Sequence, residues 1–462
     1  MMRVFLAALI GCVFAQAQAA NPLTLSHGRF RDVSVYAPTT KPASRFVLML
    51  SGDNGWDDDM AHMAQLLTAR GALVAGIDTP QLFEDLAEDG DDCVFPDGDL
   101  ENLGRYVQAF YRLPTYYAPI LVGYSSGATL AYASLAQAPA GTFAGAISLG
   151  FCTDLDLTKA LCKAEKLNHH ARKGGGFDLL PAAQLSAPWI VLQGEKDEVC
   201  PAAPARTFAT EVKGAQFFSL AQVNHDFLQG QQWEPTFTSA FAQLAERRVS
   251  SLTAVPKDLE GLPIIEVPAT GTGDSFAVVL SGDGGWASID KEVAAALAKA
   301  GIPVAGLDSL RYFWKARTPQ GLSGDLDRIV RFYAERWHRS KVMLVGYSQG
   351  ADVLPFAINR MPATTRSQIS IAALLGLGVN ATFEFHLSAW VSDGDDGLPI
   401  APEARRMNVP TLCVYGEDED DSLCPQIKTQ SFKALRLPGG HHFDGDYPKL
   451  ARIIMEAAAR NK

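Results

Sequence analysis

The sequence contains itself twice, and that duplication limits the chain to architectures made of two like units. Phe46-Val-Leu-Met-Leu-Ser-Gly-Asp-Asn-Gly-Trp56 returns as Phe276-Ala-Val-Val-Leu-Ser-Gly-Asp-Gly-Gly-Trp286. Ala72-Leu-Val-Ala-Gly-Ile-Asp-Thr79 returns as Ile302-Pro-Val-Ala-Gly-Leu-Asp-Ser309, and Gly123-Tyr-Ser-Ser-Gly127 as Gly346-Tyr-Ser-Gln-Gly350. Asp197-Glu-Val-Cys-Pro201 returns as Asp421-Ser-Leu-Cys-Pro425. Four matches in the same order mean a duplicated domain, far longer than a solenoid repeat, so each copy holds its own core. The expected division is an N-terminal domain over 21–250 and a C-terminal domain over 260–462. The break lies near 246–272, where a helical pattern ends and a Gly- and Thr-rich turn follows.

Short apolar runs alternate with helical patterns in each copy. Val47–Leu50, Pro119–Val122 and Trp189–Leu192 correspond to Val278–Leu280, Lys341–Val345 and Thr411–Val414. Continuous apolar runs fit strands buried on both faces, as in a parallel sheet. The expected fold class is therefore α/β: two tandem α/β-hydrolase-like domains, each a mostly parallel sheet flanked by helices.

Gly-x-Ser-x-Gly occurs in both copies, after an apolar strand and before a helix. That is the setting of a nucleophile elbow, with Ser125 and Ser348 as the nucleophiles. A Ser hydroxyl needs a base, and the base needs an orienting acid. In the chain order of this fold the first copy offers Ser125, Asp197 and His225. The second offers Ser348, an acid and a histidine near the C-terminus. The shared Asp-x-x-Cys-Pro frame selects Asp421, whereas counting forward from Gly416 selects Glu419; Asp421 is preferred. The shared His-x-Phe spacing selects His441 over His442. Oxyanion donors are expected from the amides of Ser126 and Gln349, just after the nucleophiles, and of Asp53 and Asp283 in the Gly-rich loops. Such a triad requires neither metal nor organic cofactor.

The copies differ most after Asp78 and Asp308. The first carries nine acidic residues within 81–101, read as a carboxylate-rich loop. The second carries Leu310-Arg-Tyr-Phe-Trp-Lys-Ala-Arg-Thr318, whose Arg311, Lys315 and Arg317 suit a phosphate beside an apolar body. A carboxylate-rich rim repels a phosphate, so a phosphate-bearing ligand favours the second copy; the alternative for this stretch is a surface helix with snorkelling cations. The net charge of −11 argues against a nucleic-acid partner.

Residues 1–20 read as a signal peptide: Arg3, then an apolar stretch from Val4 to Ala15, then Ala-Gln-Ala-Gln-Ala-Ala. The rival reading is a lipoprotein signal at Cys12. Six cysteines remain, Cys93, Cys152, Cys162, Cys200, Cys413 and Cys424, an even number in an exported chain. If pairing stays within domains, Cys413 pairs with Cys424, and the first copy has three possible connectivities.

The second copy resembles the VirJ/AcvB group of bacterial periplasmic proteins. The resemblance is carried by Ser281-Gly-Asp-Gly-Gly-Trp286, Asp308-Ser-Leu-Arg-Tyr-Phe-Trp314, Arg317-Thr-Pro319, Gly346-Tyr-Ser-Gln-Gly-Ala-Asp-Val353, Asn359-Arg360, Cys424-Pro425 and Gly439-Gly-His-His-Phe-Asp-Gly-Asp-Tyr447. The two-copy layout is similar to the longer, AcvB-like members. The resemblance implies a periplasmic location, soluble or peripheral to the inner membrane. It implies hydrolysis of the aminoacyl ester of a membrane phospholipid, aminoacylated phosphatidylglycerol such as the lysyl or alanyl form. It also implies an association with virulence and type IV secretion, which makes periplasmic secretion components a second class of expected partner. The alternatives are a non-enzymatic accessory of secretion and a general esterase or lipase.

Overall fold

The computed structural model describes residues 22–39, 42–88, 93–164, 166–246, 257–286, 288–385 and 397–460. The proposed signal segment, with Cys12, lies outside them. The first copy contributes β1 (Leu23–His27), β2 (Phe30–Tyr36), β3 (Arg45–Leu50), β4 (Ala72–Ile77), β5 (Ile120–Tyr124) and β6 (Gly145–Leu149). A small sheet of β7 (Asp154–Leu155), β8 (Asn168–Ala171) and β9 (Phe177–Leu180) follows, then β10 (Trp189–Gly194) and β11 (Gln216–Leu220). The main sheet runs β1-β2-β4-β3-β5-β6-β10-β11. β2 runs antiparallel to both its neighbours, β1 and β4, and every other neighbouring pair is parallel.

The second copy repeats the plan with one edge strand fewer. It uses β12 (Ile264–Val267), β13 (Ser275–Leu280), β14 (Val304–Leu307), β15 (Lys341–Tyr347) and β16 (Ile369–Leu375). A short ladder of β17 (Asn380–Ala381) and β18 (Leu398–Pro399) precedes β19 (Thr411–Gly416) and β20 (Phe432–Leu437). The sheet order is β12-β14-β13-β15-β16-β19-β20, with only β12 antiparallel. Both sheets therefore have the crossover pattern of the α/β-hydrolase fold.

The apolar runs are continuous because both faces of each sheet are covered by helices. In β3, Phe46, Leu48 and Leu50 enter one core cluster, while Val47 and Met49 enter the other. In β13, Phe276, Val278 and Leu280 face one side, and Ala277 and Val279 the opposite side.

The two copies touch through specific polar contacts. Trp314 Nε1 donates to the Leu113 carbonyl at 2.8 Å and its ring packs on Tyr116, centroids 5.3 Å apart. Arg105 of the first copy donates to the Gly284 carbonyl of the second at 2.6 Å, and Lys291 reaches the Ala140 carbonyl at 2.5 Å. A cavity of about 280 Å³ lies between them, lined by Glu101, Tyr116, Trp286, Lys291 and Arg311 among others.

The acidic stretch of the first copy is not a single solvated loop. Much of it folds into the helices Thr79–Ala87 and Pro96–Phe110. Asp85 pairs with Arg31 at 2.6 Å, Asp99 with Arg29 at 2.8 Å and Glu101 with Arg105 at 2.9 Å. Three disulfides form: Cys93–Cys162, Cys152–Cys200 and Cys413–Cys424.

Asp97 is buried at 7% exposure, and its Oδ1 has no partner. Burial, helped by Glu101 and Asp99, pushes its carboxyl up to about 7 against hydrogen bonds from backbone amides. The folded chain thus keeps a proton that the unfolded chain loses above the ordinary carboxylate range. This stabilisation is complete below about pH 4 and is lost as pH rises through about 7. Asp97→Asn should therefore be more stable than the parent at pH 8, by on the order of 2–4 kcal/mol. The gap should shrink below pH 5. Melting curves at the two pH values test this, and a gap independent of pH would count against it.

Candidate active sites

Each nucleophile candidate sits where a strand meets a helix with no room to spare. Ser125 joins β5 to the helix Ser126–Gln137 at φ 52°, ψ −122°; Ser348 joins β15 to Gln349–Arg360 at φ 51°, ψ −120°. This backbone is strained for a residue with a Cβ, costing about 1–3 kcal/mol, and persists only because its surroundings fix it. The Ser125 amide donates to the Leu149 carbonyl at 3.0 Å and the Ser348 amide to Leu375 at 2.9 Å. A Cβ on Gly127 would lie 2.3 Å from the Ser51 carbonyl oxygen, and one on Gly350 2.3 Å from that of Leu280. The second glycine of each motif is thus required by contact with the end of the neighbouring strand, and the first, Gly123 or Gly346, by contact with the backbone of the second.

In the first copy all three predicted residues meet. Ser125 is 3% exposed, and its Oγ lies 2.9 Å from His225 Nε2. His225 Nδ1 lies 2.9 and 3.0 Å from the two Asp197 oxygens. Asp197 is held by the amides of Val199 and Cys200, at 3.0 and 2.8 Å, and by Gln193 Nε2 at 3.2 Å. Cys200 is tied to Cys152, just beyond β6, so the acid loop is stapled to the strand end beneath the imidazole. Gly150 provides that floor: a Cβ there would stand 3.4 Å from the His225 ring.

In the second copy the acid is not Asp421. His441 Nδ1 lies 2.5 Å from Glu419 Oε1, and the other Glu419 oxygen accepts from the Gly416 amide at 2.5 Å. The reason is the register at the strand end. Gly194 and Asp197 close a tight turn after β10, and Gly416 and Glu419 close the same turn after β19. The Cys-Pro frame that favoured Asp421 is displaced: Cys424 bonds back to Cys413 in the preceding strand β19, whereas Cys200 bonds to Cys152 just beyond β6. The hydrogen bond to Glu419 raises the His441 pKa against the opposing effect of burial. Burial alone would lift Glu419, but the bonds from His441 and the Gly416 amide hold it below the usual carboxylate range. His442 instead meets the Tyr347 hydroxyl at 3.1 Å. Among the described residues the Ser348 hydroxyl makes no hydrogen bond, so this serine is not engaged by His441 at rest.

The loops Ser51–Trp56 and Ser281–Trp286 cover the nucleophiles. Their serines and tryptophans are scaffold. Ser51 and Ser281 accept the amides of Thr79 and Ser309 at 2.9 Å. Asp78 accepts the amides of Trp56 and Gln81 at 3.0 Å, and Trp56 packs on Gly76 as Trp286 does on Gly306. Ser126 and Gln349 are the first residues of their helices, so their amides have no intrahelical acceptor. Of Asp53 the sequence reading used only the amide, yet its carboxylate Oδ2 stands 3.0 Å from Ser125 Oγ.

Asp352, which replaces Thr129 of the first copy, was not among the residues expected at the site. It accepts the Gly378 amide at 2.8 Å, and burial pushes its carboxyl up to about 7. Gly376 also went unnoticed, although it follows its strand as Gly150 does; a Cβ there would meet the His441 ring at 2.5 Å.

The three cations of the second copy do not form one cradle. Arg311 pairs with Asp308 at 3.5 Å and lines the cavity between the copies. Arg317 donates to the Tyr312 carbonyl at 3.0 Å and stacks 4.4 Å over that ring. Lys315 is exposed. Aromatic packing separates side chains that lie close in sequence.

The choice of acid has a measurable consequence. In a Ser125→Ala background, Glu419→Gln should lower kcat for ester hydrolysis by about 10²–10⁴-fold, because the imidazole loses its orienting charge. It should also move the acidic limb of the pH–rate profile downward, since Glu419 is what lifts His441. Asp421→Asn should change neither. Equal losses in both variants would contradict this geometry.

A search of curated proteins found no match. Solved structures do resemble the chain. An esterase domain from Rhodothermus marinus is 14% identical with a TM-score of 0.34, covering 48% of this chain and 96% of its own. An α/β serine hydrolase homologue from Coxiella burnetii is 15% identical with a TM-score of 0.33, covering 49% of this chain and 96% of its own. A lid-less α/β serine hydrolase from Xanthomonas campestris is 19% identical with a TM-score of 0.33, covering 51% and 98%. Residues 274–462, which make up most of the second of the two α/β-hydrolase-like domains, match the family described as bacterial virulence protein (VirJ).

Proposed function

We propose that this chain is an exported serine hydrolase that cleaves the aminoacyl ester of aminoacylated phosphatidylglycerol. The observation that carries the hydrolytic reading is the unbroken chain Ser125–His225–Asp197, with a buried nucleophile on a strained turn. The lipid substrate is what the VirJ/AcvB resemblance of the second copy implies, over the residues that match VirJ.

In this mechanism His225 takes the Ser125 proton as Oγ bonds to the aminoacyl carbonyl carbon. The resulting oxyanion faces the amides of Ser126 and Asp53, at the positive end of a helix. The carbon–oxygen bond to the lipid glycerol then breaks, and His225 protonates the departing alkoxide. Water, deprotonated by the same imidazole, releases the amino acid and restores Ser125. Ser348, His441 and Glu419 run the same steps in the second copy once substrate draws Ser348 onto His441. Unliganded sites often show such contacts long or unmade. The signal-like N-terminus and three disulfides support a periplasmic setting. Among the described residues no helix is long and apolar enough to cross a membrane.

A second reading makes the VirJ domain a binding module for lipid or secretion components. The unengaged Ser348 hydroxyl favours it.

A fluorophosphonate probe separates the two readings. The hydrolase reading expects labelling at both serines, faster at Ser125, and complete loss of alanyl- or lysyl-phosphatidylglycerol hydrolysis in the Ser125→Ala, Ser348→Ala double variant. Labelling confined to Ser125 would support the binding role for the second domain. Lipid turnover that survives the double variant would rule out both nucleophiles.

A further inference from the structure

The Ser125 hydroxyl is contacted from two sides, by His225 Nε2 at 2.9 Å and by Asp53 Oδ2 at 3.0 Å. A hydroxyl has one proton and satisfies one acceptor. His225 Nδ1 faces Asp197 and so carries its own proton there. If the hydroxyl proton goes to Nε2, the Asp53 carboxylate faces an oxygen lone pair. If it goes to Asp53, the base is left without the proton it must take. Asp53 also stands on the loop whose amide would receive the oxyanion, so a negative carboxylate lies beside the point where negative charge develops. For a neutral ester this placement opposes catalysis.

Among the described residues no Lys or Arg is ion-paired with Asp53. The equivalent Asp283 of the second copy differs, because Arg105 reaches the carbonyl of the adjoining Gly284 at 2.6 Å and feels the Asp283 charge. The missing cation at the first site is one that a substrate would bring.

We propose that Asp53 is a specificity-determining residue that receives the α-ammonium of the acyl group, so that the first site accepts α-amino esters and rejects their uncharged analogues. This rests on the hydrolase reading above and narrows it to a substrate class. An ammonium on the carbon next to the scissile carbonyl draws the Asp53 carboxylate away from Ser125 Oγ. The hydroxyl proton then passes to His225, and the ammonium offsets the carboxylate while the oxyanion forms. An ester without the amine leaves both conflicts in place. The selectivity follows from a charge that the acyl half must carry, whatever its side chain and whatever alcohol leaves.

The test uses the full chain carrying Ser348→Ala, so that only the first site acts. Alanine ethyl ester and ethyl propionate differ by the ammonium alone, and a pH-stat at pH 7 follows both. The expected kcat/KM favours the alanine ester by at least tenfold. Asp53→Asn should lower the alanine ester by tenfold or more, leave ethyl propionate equal or faster, and so collapse the ratio. Labelling by a neutral fluorophosphonate, which also reports correct folding of the site, should be at least as fast in Asp53→Asn as in the parent. A ratio unchanged in Asp53→Asn overturns the proposal, and so does a parent that prefers ethyl propionate. Alanyl-phosphatidylglycerol vesicles form the separate arm. If the alanine ester is cleaved with Asp53-dependent preference but the vesicles are not, the lipid reading fails and the role of Asp53 stands.

Discussion

Everything in both sites depends on the lack of space between the serine turn and the neighbouring strand end. Gly127 lies against the carbonyls of Leu50 and Ser51, and Gly350 against those of Leu280 and Ser281. That contact holds a serine at positive φ, aims its hydroxyl out of the sheet, and brings the helix N-terminus behind it. It also fixes the loop after β3 or β13 over the nucleophile, since the loop begins at the same carbonyls. Dense packing lets this strain persist, because neither side can relax without opening the core.

The duplication preserved that frame and varied what surrounds it. Ser51, Asp78 and Trp56 have working equivalents in Ser281, Asp308 and Trp286, and all of them brace the loop. Divergence begins at the charged positions. The first site uses a short acid fixed by two amides and a disulfide to the adjacent strand. The second uses a longer glutamate, fixed by one amide, beside the additional carboxylate of Asp352. A longer side chain reaches the imidazole from the same turn, so the backbone plan survives the change from Asp to Glu.

The copies are also joined at a consequential place. Arg105 holds the carbonyl of Gly284, inside the loop that covers Ser348. The Trp314 contact at Leu113 uses an aromatic from the very stretch that distinguishes the second copy. The residues that set the VirJ-like domain apart therefore serve partly to seat it on its neighbour, which is why Arg311 faces the cavity between them.

The sequence by itself determined the repeat, the α/β class, the two elbows and the histidines, because these depend on local requirements: glycine where backbones touch, apolar runs where both sheet faces are covered, a fixed order of strand and turn. It also determined the Cys413–Cys424 pairing once pairing was confined to domains. Only the tertiary structure decided between Glu419 and Asp421, since that choice turns on where β19 ends relative to His441. It decided the two disulfides of the first copy and dispersed Arg311, Lys315 and Arg317, whose directions are set by the surfaces they pack on. It revealed Asp53 against Ser125 and the unengaged Ser348, because hydrogen bonds between loops far apart in sequence exist only when the sheet has brought their strand ends together.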